Sequence, residues 1–198
     1  KMSSLLLQIS GQNLYILMIL TAVSGIILGM GLPTSGVYIV LSVLAAPALI
    51  QLGVPEISAH MFVFYFGVIA AITPPVALAS YAGAGIAKAD ANSTGWKAVK
   101  IGMAGFILPF MFVLNPAILM IGTPIKIVQV AITSTISIII LSMALNGVPF
   151  RSPLPRAMFA VATFLLLDGG TVTDIIGLFL AVGGWLLGRV LERKAEIQ

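Results

Sequence analysis

The sequence contains no cysteine among its 198 residues and only one histidine, His60. The lack of cysteine excludes disulfides and thiolate metal sites, and a single imidazole argues against a metal centre built from histidines. Charged residues make up only 8% of the chain, whereas soluble domains carry about 25%. Ten basic and six acidic side chains cannot cover the surface of a water-soluble protein of this size. The bilayer must therefore be the solvent for most of the chain.

Hydrophobic residues make up 60% of the chain, and the mean hydropathy is +1.15. A helix that spans a membrane needs about 20 apolar residues, with a range of roughly 17–25. Four apolar runs meet this length comfortably, one is borderline, and the run at 154–167 is the weakest. The sequence therefore predicts an all-α membrane protein with several transmembrane helices. The seven runs cover residues 14–32, 37–52, 60–87, 99–121, 125–145, 154–167 and 172–190.

The first two apolar runs are short and meet at the sequence GLPTSG, residues 31–36, called the hairpin tip below. The run at 37–52 is too short to cross comfortably, and Pro47 interrupts it. This pattern favours a re-entrant helical hairpin over residues 14–52, whose non-helical backbone survives at membrane depth only where protein or water satisfies it. Two ordinary spanning helices joined by a tight turn remain the alternative.

The run at 60–87 is long but contains Thr73, Pro74 and Pro75, called the TPP break below. Two consecutive prolines remove two backbone donors and disfavour a helical conformation at Thr73. Carbonyls one turn earlier lose their partners and become free to coordinate a ligand. The alternative is a simple kink that neighbouring helices repair.

The basic residues indicate the orientation of the chain in the membrane, because cytoplasmic loops are enriched in Lys and Arg. Eight basic residues fall on one side of the predicted spans, and only Lys1 and Lys126 fall on the other. We therefore expect a cytoplasmic C-terminus and a hairpin that opens to the outside. The basic residues are also scattered, without the stripe that nucleic acid binding requires. The eight are Lys88, Lys97, Lys100, Arg151, Arg156, Arg189, Arg193 and Lys194.

A pair of interrupted apolar segments is the best sequence indication of a transporter binding site. Half-helix N-termini offer free N–H groups to anions, while hydroxyls and unwound carbonyls offer oxygen ligands to cations. The two interruptions supply Thr34, Ser35 and Thr73, with Ser80 further along. Neither segment contains Asp, Glu, Lys or Arg. Intramembrane proton relays use such groups, so we expect Na⁺ coupling through neutral oxygens at Thr34, Ser35 and Thr73, and no cofactor.

The remaining polar and small residues receive structural interpretations. His60 is interpreted as an interfacial or packed polar residue, and Asp168 and Asp174 as solvated loop residues. Gly83 and Gly85 among alanines predict close helix packing. Tyr81 either reaches the TPP break or bonds to another helix. Arg156 is expected to snorkel outward and so to lengthen the short run after it.

Two strings carry a specific family resemblance: GMGLPTSGVY at residues 29–38 and HMFVFYFGVIAAITPPVALASYAGAGIAKAD at residues 60–90. Over about residues 14–120 the chain resembles the large membrane subunit of tripartite ATP-independent periplasmic (TRAP) transporters. The sequence of the second string is similar to that of the fused permeases that work with TAXI-type binding proteins. One departure is Ala77, where many relatives outside the TAXI-type group have glycine.

The resemblance implies an elevator-type, Na⁺-coupled permease in the inner membrane of a bacterium or archaeon. Such a permease takes up organic acids that a periplasmic TAXI-type protein delivers. It also implies that only the second of two inverted repeats is present, so that the chain is a C-terminal portion that needs the N-terminal repeat of the same permease. The implied Na⁺ and substrate ligands lie near Gly31, Pro33, Thr34, Ser35, Thr73, Pro74 and Pro75.

These expectations divide the chain into two parts. Residues 1–95 form the second half of a transport domain, with the hairpin and the broken helix, and residues 96–198 form C-terminal transmembrane helices. The alternative function is a membrane scaffold or assembly subunit without its own binding site, which would favour an uninterrupted helix through the TPP break. An enzyme is not expected, because the serines share the membrane interior with no His or Lys base.

Overall fold

The computed structural model describes residues 2–147, 149–150 and 152–196, and over these ranges every regular element is helical. Together with the apolar helices long enough to cross a membrane, this confirms the predicted all-α membrane protein. The chain divides into two compact units, Lys1–Val113 and Leu114–Gln198. Residues 96–113, which the sequence grouped with the C-terminal helices, belong to the first compact unit.

The first unit contains eight α-helices and one 3-10 turn among its described residues. The helices differ in length from 6 to 16 residues, so the unit is built from short pieces. They are α1 (Met2–Ile9), α2 (Leu14–Gly29), α3 (Thr34–Leu44), α4 (Ala46–Gln51), α5 (Glu56–Ile69), the 3-10 turn Ala70–Ile72, α6 (Leu78–Ala87), α7 (Ala91–Ile101) and α8 (Met103–Leu114).

Local caps explain where several of these helices begin and end. The Asn13 side chain accepts hydrogen bonds from the backbone N–H groups of Tyr15 and Ile16 and so caps α2. Helix α6 ends in a Schellman motif, because Ala89 N–H donates to the Ala84 carbonyl and Lys88 adopts a left-handed conformation with φ +50°. These caps make short helices possible in an apolar chain.

Helix α5 is the centre of the first unit. It packs against α2, α3 and α4, and its Phe62 and Phe66 are almost completely buried. The two rings lie 5.0 Å apart, and Phe110 of α8 meets both edge-on. Such edge-to-face pairs add to the stability that comes from burial alone. The core therefore holds the hairpin arms against one central helix.

Three helical stretches of the described chain are long and apolar enough to cross a membrane: Thr34–Gln51, Pro124–Asn146 and Thr171–Glu192. The first of these shows that the predicted length of the second hairpin arm was wrong. That arm begins at Thr34 rather than residue 37, because Pro33 provides an extended N-cap, and it reaches 18 residues. Pro47 does interrupt it, since α4 begins one residue before this proline.

The predicted span over residues 99–121 is not one helix. Helix α7 begins at Ala91, inside the segment that the sequence treated as a connection, because the Asp90 side chain accepts a 2.7 Å hydrogen bond from Ser93 N–H. Helices α7 and α8 are bent by 41° at Gly102, and regular helix ends before Asn115. Pro116 disfavours a helical conformation at Asn115, whose ψ is +77°.

The second unit contains a 3-10 turn (Pro116–Leu119) and three helices in its described residues. These are α9 (Pro124–Asn146), α10 (Pro153–Leu167) and α11 (Thr171–Glu196), which pack around Phe150, Phe159 and Leu166. Helices α9 and α11 coincide with the predicted spans at 125–145 and 172–190. Helix α10 covers 15 residues, as the weak run at 154–167 indicated.

The expectation for Arg156 was wrong. Its guanidinium does not extend to water but donates to the carbonyls of Ala144 and Leu145, at 2.7 and 3.4 Å. These carbonyls belong to the last turn of α9, where backbone acceptors lack helical donors. Arg156 therefore caps α9, and it does not lengthen α10.

Candidate functional site

The hairpin tip is an exposed turn between the last residue of α2 and the first turn of α3. The N–H groups of Gly31 and Leu32 donate back to the Leu28 carbonyl and so end α2. Pro33 is extended, and its side chain offers no cap, so the first N–H groups of α3 lack a partner within the helix. Thr34 is half-buried and Ser35 is exposed. The tip thus offers free backbone donors and two hydroxyls.

The TPP break separates α5 from α6, as the sequence predicted. After the 3-10 turn, Thr73 is extended, with ψ +119°, and the Pro74–Pro75 peptide is cis. The Thr73 hydroxyl donates a 2.8 Å hydrogen bond to the Ile69 carbonyl. Its lone pairs stay available, because a hydroxyl has one donor and two acceptor positions.

Tyr81 closes the break from the other side. Its hydroxyl donates to the Pro75 carbonyl at 2.9 Å. Of its two predicted roles, Tyr81 therefore reaches the TPP break and does not bond to another helix through this donor. Ala77 precedes α6 in a left-handed conformation with φ +35°, the region that favours glycine. Alanine, which stands here where many relatives outside the TAXI-type group have glycine, is therefore in a strained backbone conformation.

The hairpin and the broken helix touch at two points beside their interruptions. A methyl group added to Gly29, two residues before the tip, would overlap the Cβ of Ala70 and lie 3.7 Å from its Cα. A methyl group added to Gly67 would lie 3.5 Å from the Thr34 carbonyl oxygen. The last turn of α2 therefore rests on the 3-10 turn, and the first turn of α3 rests on the last turn of α5, three and six residues before Thr73.

One turn along α3, Tyr38 extends this contact. Its hydroxyl and the Nδ1 atom of His60 form a 3.1 Å hydrogen bond, and its ring meets that of Phe64 edge-on. Because Thr34 lies beside Gly67 and Tyr38 beside His60, α3 and α5 run in opposite directions. His60 is thus a packed polar group, as one of its two interpretations stated, and it fixes the second hairpin arm.

Ser80 lies in the first turn of α6 and is 8% exposed. Its hydroxyl oxygen is buried and makes no hydrogen bond to another described residue. The predicted close packing at Gly83 and Gly85 is wrong for the described chain, since a methyl group at either would have no neighbour within 4 Å. Only the Ser80 and Ala84 side of α6 is buried.

Sequence reasoning missed Gly95 of α7 as a neighbour of the break. A methyl group there would lie 3.1 Å from Pro74 Cγ and from Tyr81 Cε1. The available signal was a glycine in a polar stretch with lysines and Trp96, which is typical of an amphipathic helix. The described residues contain no cluster of three His, Cys, Asp or Glu, so the ligands available at the break are neutral oxygens.

The second unit contains a polar group that the sequence misjudged. Asp174 is not a solvated loop residue: it lies in the first turn of α11, is 4% exposed and accepts a 2.6 Å hydrogen bond from the Gln129 amide. Its other oxygen, Oδ1, is buried without a partner among the described residues. Asp168 is exposed and accepts from the Thr173 hydroxyl.

Comparison with known proteins gives one family. Residues 1–127 match the model of the family described as the tripartite ATP-independent periplasmic transporter, DctM component. Neither the search of curated proteins nor the search of solved structures gave a match. The matched residues include the hairpin, the TPP break and α7.

Proposed function

Because the chain belongs to the DctM family of tripartite ATP-independent periplasmic transporters, we propose that it forms part of a Na⁺-coupled permease for organic acids. The observation that supports this proposal is the contact between the hairpin and the broken helix. Gly29 and Thr34, on either side of the turn, lie against Ala70 and Gly67, just before the TPP break. Two interrupted segments in contact are the arrangement that transporters use for ions and substrates.

In this proposal Na⁺ binds to neutral oxygens of both segments. The hydroxyls of Thr34, Ser35 and Thr73 are the candidate ligands, together with the carbonyls of Gly31, Pro33, Pro74 and Pro75. The Pro33 and Pro75 carbonyls already accept hydrogen bonds from Val37 N–H and the Tyr81 hydroxyl, so they would use their second lone pairs. The Thr73 oxygen is oriented by its bond to Ile69 and keeps its lone pairs. The Ser80 hydroxyl, buried and without a described partner, is a further candidate. Backbone and hydroxyl oxygens suit a hard cation.

The organic acid is proposed to meet the N-termini of α3 and α6. Neither helix has a side-chain cap, so both present free N–H groups at their first turns. The positive ends of helix dipoles stabilise a carboxylate at such positions. In this proposal an N-terminal repeat of the same permease would supply the remaining contacts, and a periplasmic TAXI-type protein would deliver the substrate.

The scaffold alternative is disfavoured by the same region. A scaffold needs no unwound backbone at membrane depth, whereas here the helix is interrupted from Thr73 to Ala77. Such a break exposes polar groups that cost free energy in lipid unless they have partners. A binding site is therefore the better explanation of the TPP break.

The test is the Na⁺ dependence of uptake by the complete permease, reconstituted with its binding protein. Thr73→Ala removes the proposed ligand oxygen, and a lost contact to a charged group is worth about 1.5–3 kcal/mol. We expect the Na⁺ concentration for half-maximal uptake to rise about tenfold or more. Thr73→Ser, which keeps the hydroxyl, is the matched control and should stay near the wild type.

An unchanged Na⁺ response in the alanine variant would reject Thr73 as a ligand. A loss of uptake in both variants would instead indicate damage to the fold, because Thr73→Ser keeps the proposed ligand oxygen. Membrane insertion and thermal unfolding, measured on the same preparations, separate these outcomes.

A further inference from the structure

Helix α7 has two different faces. Thr94, Ala98 and Val99 are half-buried and Gly95 is buried on the side that meets the protein. The opposite side presents Ser93, Trp96, Lys97, Lys100 and Ile101, all exposed. This division follows the helical period of 3.6 residues, so the exposed residues form one continuous surface. We call it the lysine face of α7.

The lysine face has the composition of a segment that lies in a membrane surface. Trp96 is 61% and Ile101 75% exposed, beside two exposed lysines. Tryptophan prefers the level of the headgroups, and lysine side chains reach from apolar surroundings to charged headgroups. Lys88, exposed at the end of α6, adds a third positive charge, while the single nearby carboxylate, Asp90, is used as the helix cap.

The protein side of α7 touches the TPP break directly. Added methyl groups at Gly95 and Gly102 would lie 3.1 Å from Pro74 Cγ and 2.7 Å from Ile72 Cδ1. Gly95 is equally close to Tyr81, which holds the Pro75 carbonyl. A shift of α7 toward the break by the width of a methyl group would therefore push on Pro74 or Tyr81, because packed interiors contain few voids.

We propose that α7 lies in the headgroup layer of the cytoplasmic leaflet and binds anionic phospholipid through Lys88, Lys97 and Lys100. The partner is anionic because these charges are positive and because the predicted topology places them on the cytoplasmic side, whose leaflet is negatively charged. Bound lipid holds α7 against Pro74 and so keeps the break in its transport-competent arrangement. The effect on uptake rests on the proposed function, whereas the lipid binding does not.

The binding experiment uses the complete permease with Ser93→Cys carrying a nitroxide label. The protein is reconstituted in vesicles of phosphatidylcholine alone and of an equal mixture with phosphatidylglycerol. We expect the label to lie at headgroup depth and to be less mobile in the mixture. Each lysine near an anionic surface favours binding about fivefold. The double substitution Lys97→Gln with Lys100→Gln should therefore reduce the preference of α7 for the mixture over phosphatidylcholine about 25-fold.

The double substitution Lys97→Arg with Lys100→Arg keeps both charges and is the matched control, which should retain the preference. Equal mobility of the label in both vesicles, or an equal preference in the glutamine and arginine variants, would overturn the proposal. So would a label that reports aqueous exposure in both lipids.

A second measurement tests the coupling to the break. In the wild type we expect phosphatidylglycerol to increase uptake. Gly95→Ala should abolish this increase, because the added methyl separates α7 from Pro74. The depth of the label should stay unchanged. Gly83→Ala, with no neighbour within 4 Å, is the control and should respond as the wild type does. A full lipid response in Gly95→Ala would reject the coupling. Uptake without Na⁺ dependence in every lipid would reject the proposed function and leave the binding result valid.

Discussion

At the scale of residues, Lys88 shows how a local backbone requirement can oppose residue type. It occupies the C′ position of a Schellman motif, with φ +50°, where glycine is the preferred residue. Its side chain is exposed, so no packing compensates for the left-handed conformation. The lysine is therefore retained at a cost in stability of about 1–2 kcal/mol, which fits a role for its charge.

This cost gives a prediction for stability in detergent. Lys88→Gly should raise the free energy of unfolding by about 1 kcal/mol, because glycine adopts the left-handed conformation without strain. Lys100→Gly, inside α7, should lower it by about 1 kcal/mol through the poor helix propensity of glycine. Midpoints of thermal unfolding for the two variants check this. A destabilised Lys88→Gly protein would contradict the Schellman assignment.

At the scale of elements, the docking of the hairpin on α5 depends on the absence of a side chain at Gly29. An added methyl would overlap Ala70, a residue that is itself almost completely buried. Gly31, two residues further along, has nothing within 4 Å of an added methyl. A substitution at Gly29 therefore tests the docking of the hairpin on α5, whereas a substitution at Gly31 tests the flexibility of its tip.

Gly29→Ala should destabilise the first unit by about 1–3 kcal/mol, the usual cost of overpacking, and should lower the apparent Na⁺ affinity of the complete permease. Gly31→Ala should change stability by no more than about 0.5 kcal/mol. Thermal unfolding and Na⁺ titration of uptake measure both effects. Similar behaviour of the two variants would mean that the hairpin does not press on Ala70 in the working protein.

The elements also show which features a sequence can predict. The interruptions at Pro33 and at Pro74 follow from proline chemistry, which needs no knowledge of the surroundings. The bend at Gly102 was missed because the close neighbour of this glycine is Ile72, thirty residues earlier in the chain. The roles of Arg156 and Asp174 were misjudged for the same reason, since their partners Ala144 and Gln129 lie on another helix.

At the scale of the whole molecule, the family match and the compact units divide the chain at similar places. The match ends at residue 127, and the first unit ends at Val113. Everything that supports the candidate site lies in the first unit. The two interruptions themselves were predicted from the sequence, whereas the involvement of α7 was missed, because it depends on the packing of Gly95 against Pro74 and Tyr81.

The predicted orientation of the whole chain can be tested with cysteines in the complete permease. Cysteines at the exposed positions Ser4 and Glu56 should react with an impermeant thiol reagent added outside intact cells. A cysteine at Ser93 should react only after permeabilisation, because it follows Lys88 on the side with more positive charge. Outside labelling at Ser93, or protection of Ser4 and Glu56, would reverse the topology and remove the cytoplasmic leaflet as the partner of α7.

The shortness of α10 has a consequence for the bilayer itself. Its 15 residues rise about 22 Å, whereas the hydrocarbon layer is about 30 Å thick. Arg156 cannot extend the helix toward water, because its guanidinium is held by the end of α9. If α10 crosses the bilayer, as the sequence predicted, this shortfall requires the surrounding acyl chains to form a thinner annulus. Membranes with short acyl chains should therefore accommodate the second unit with less elastic deformation than thick, sterol-rich ones.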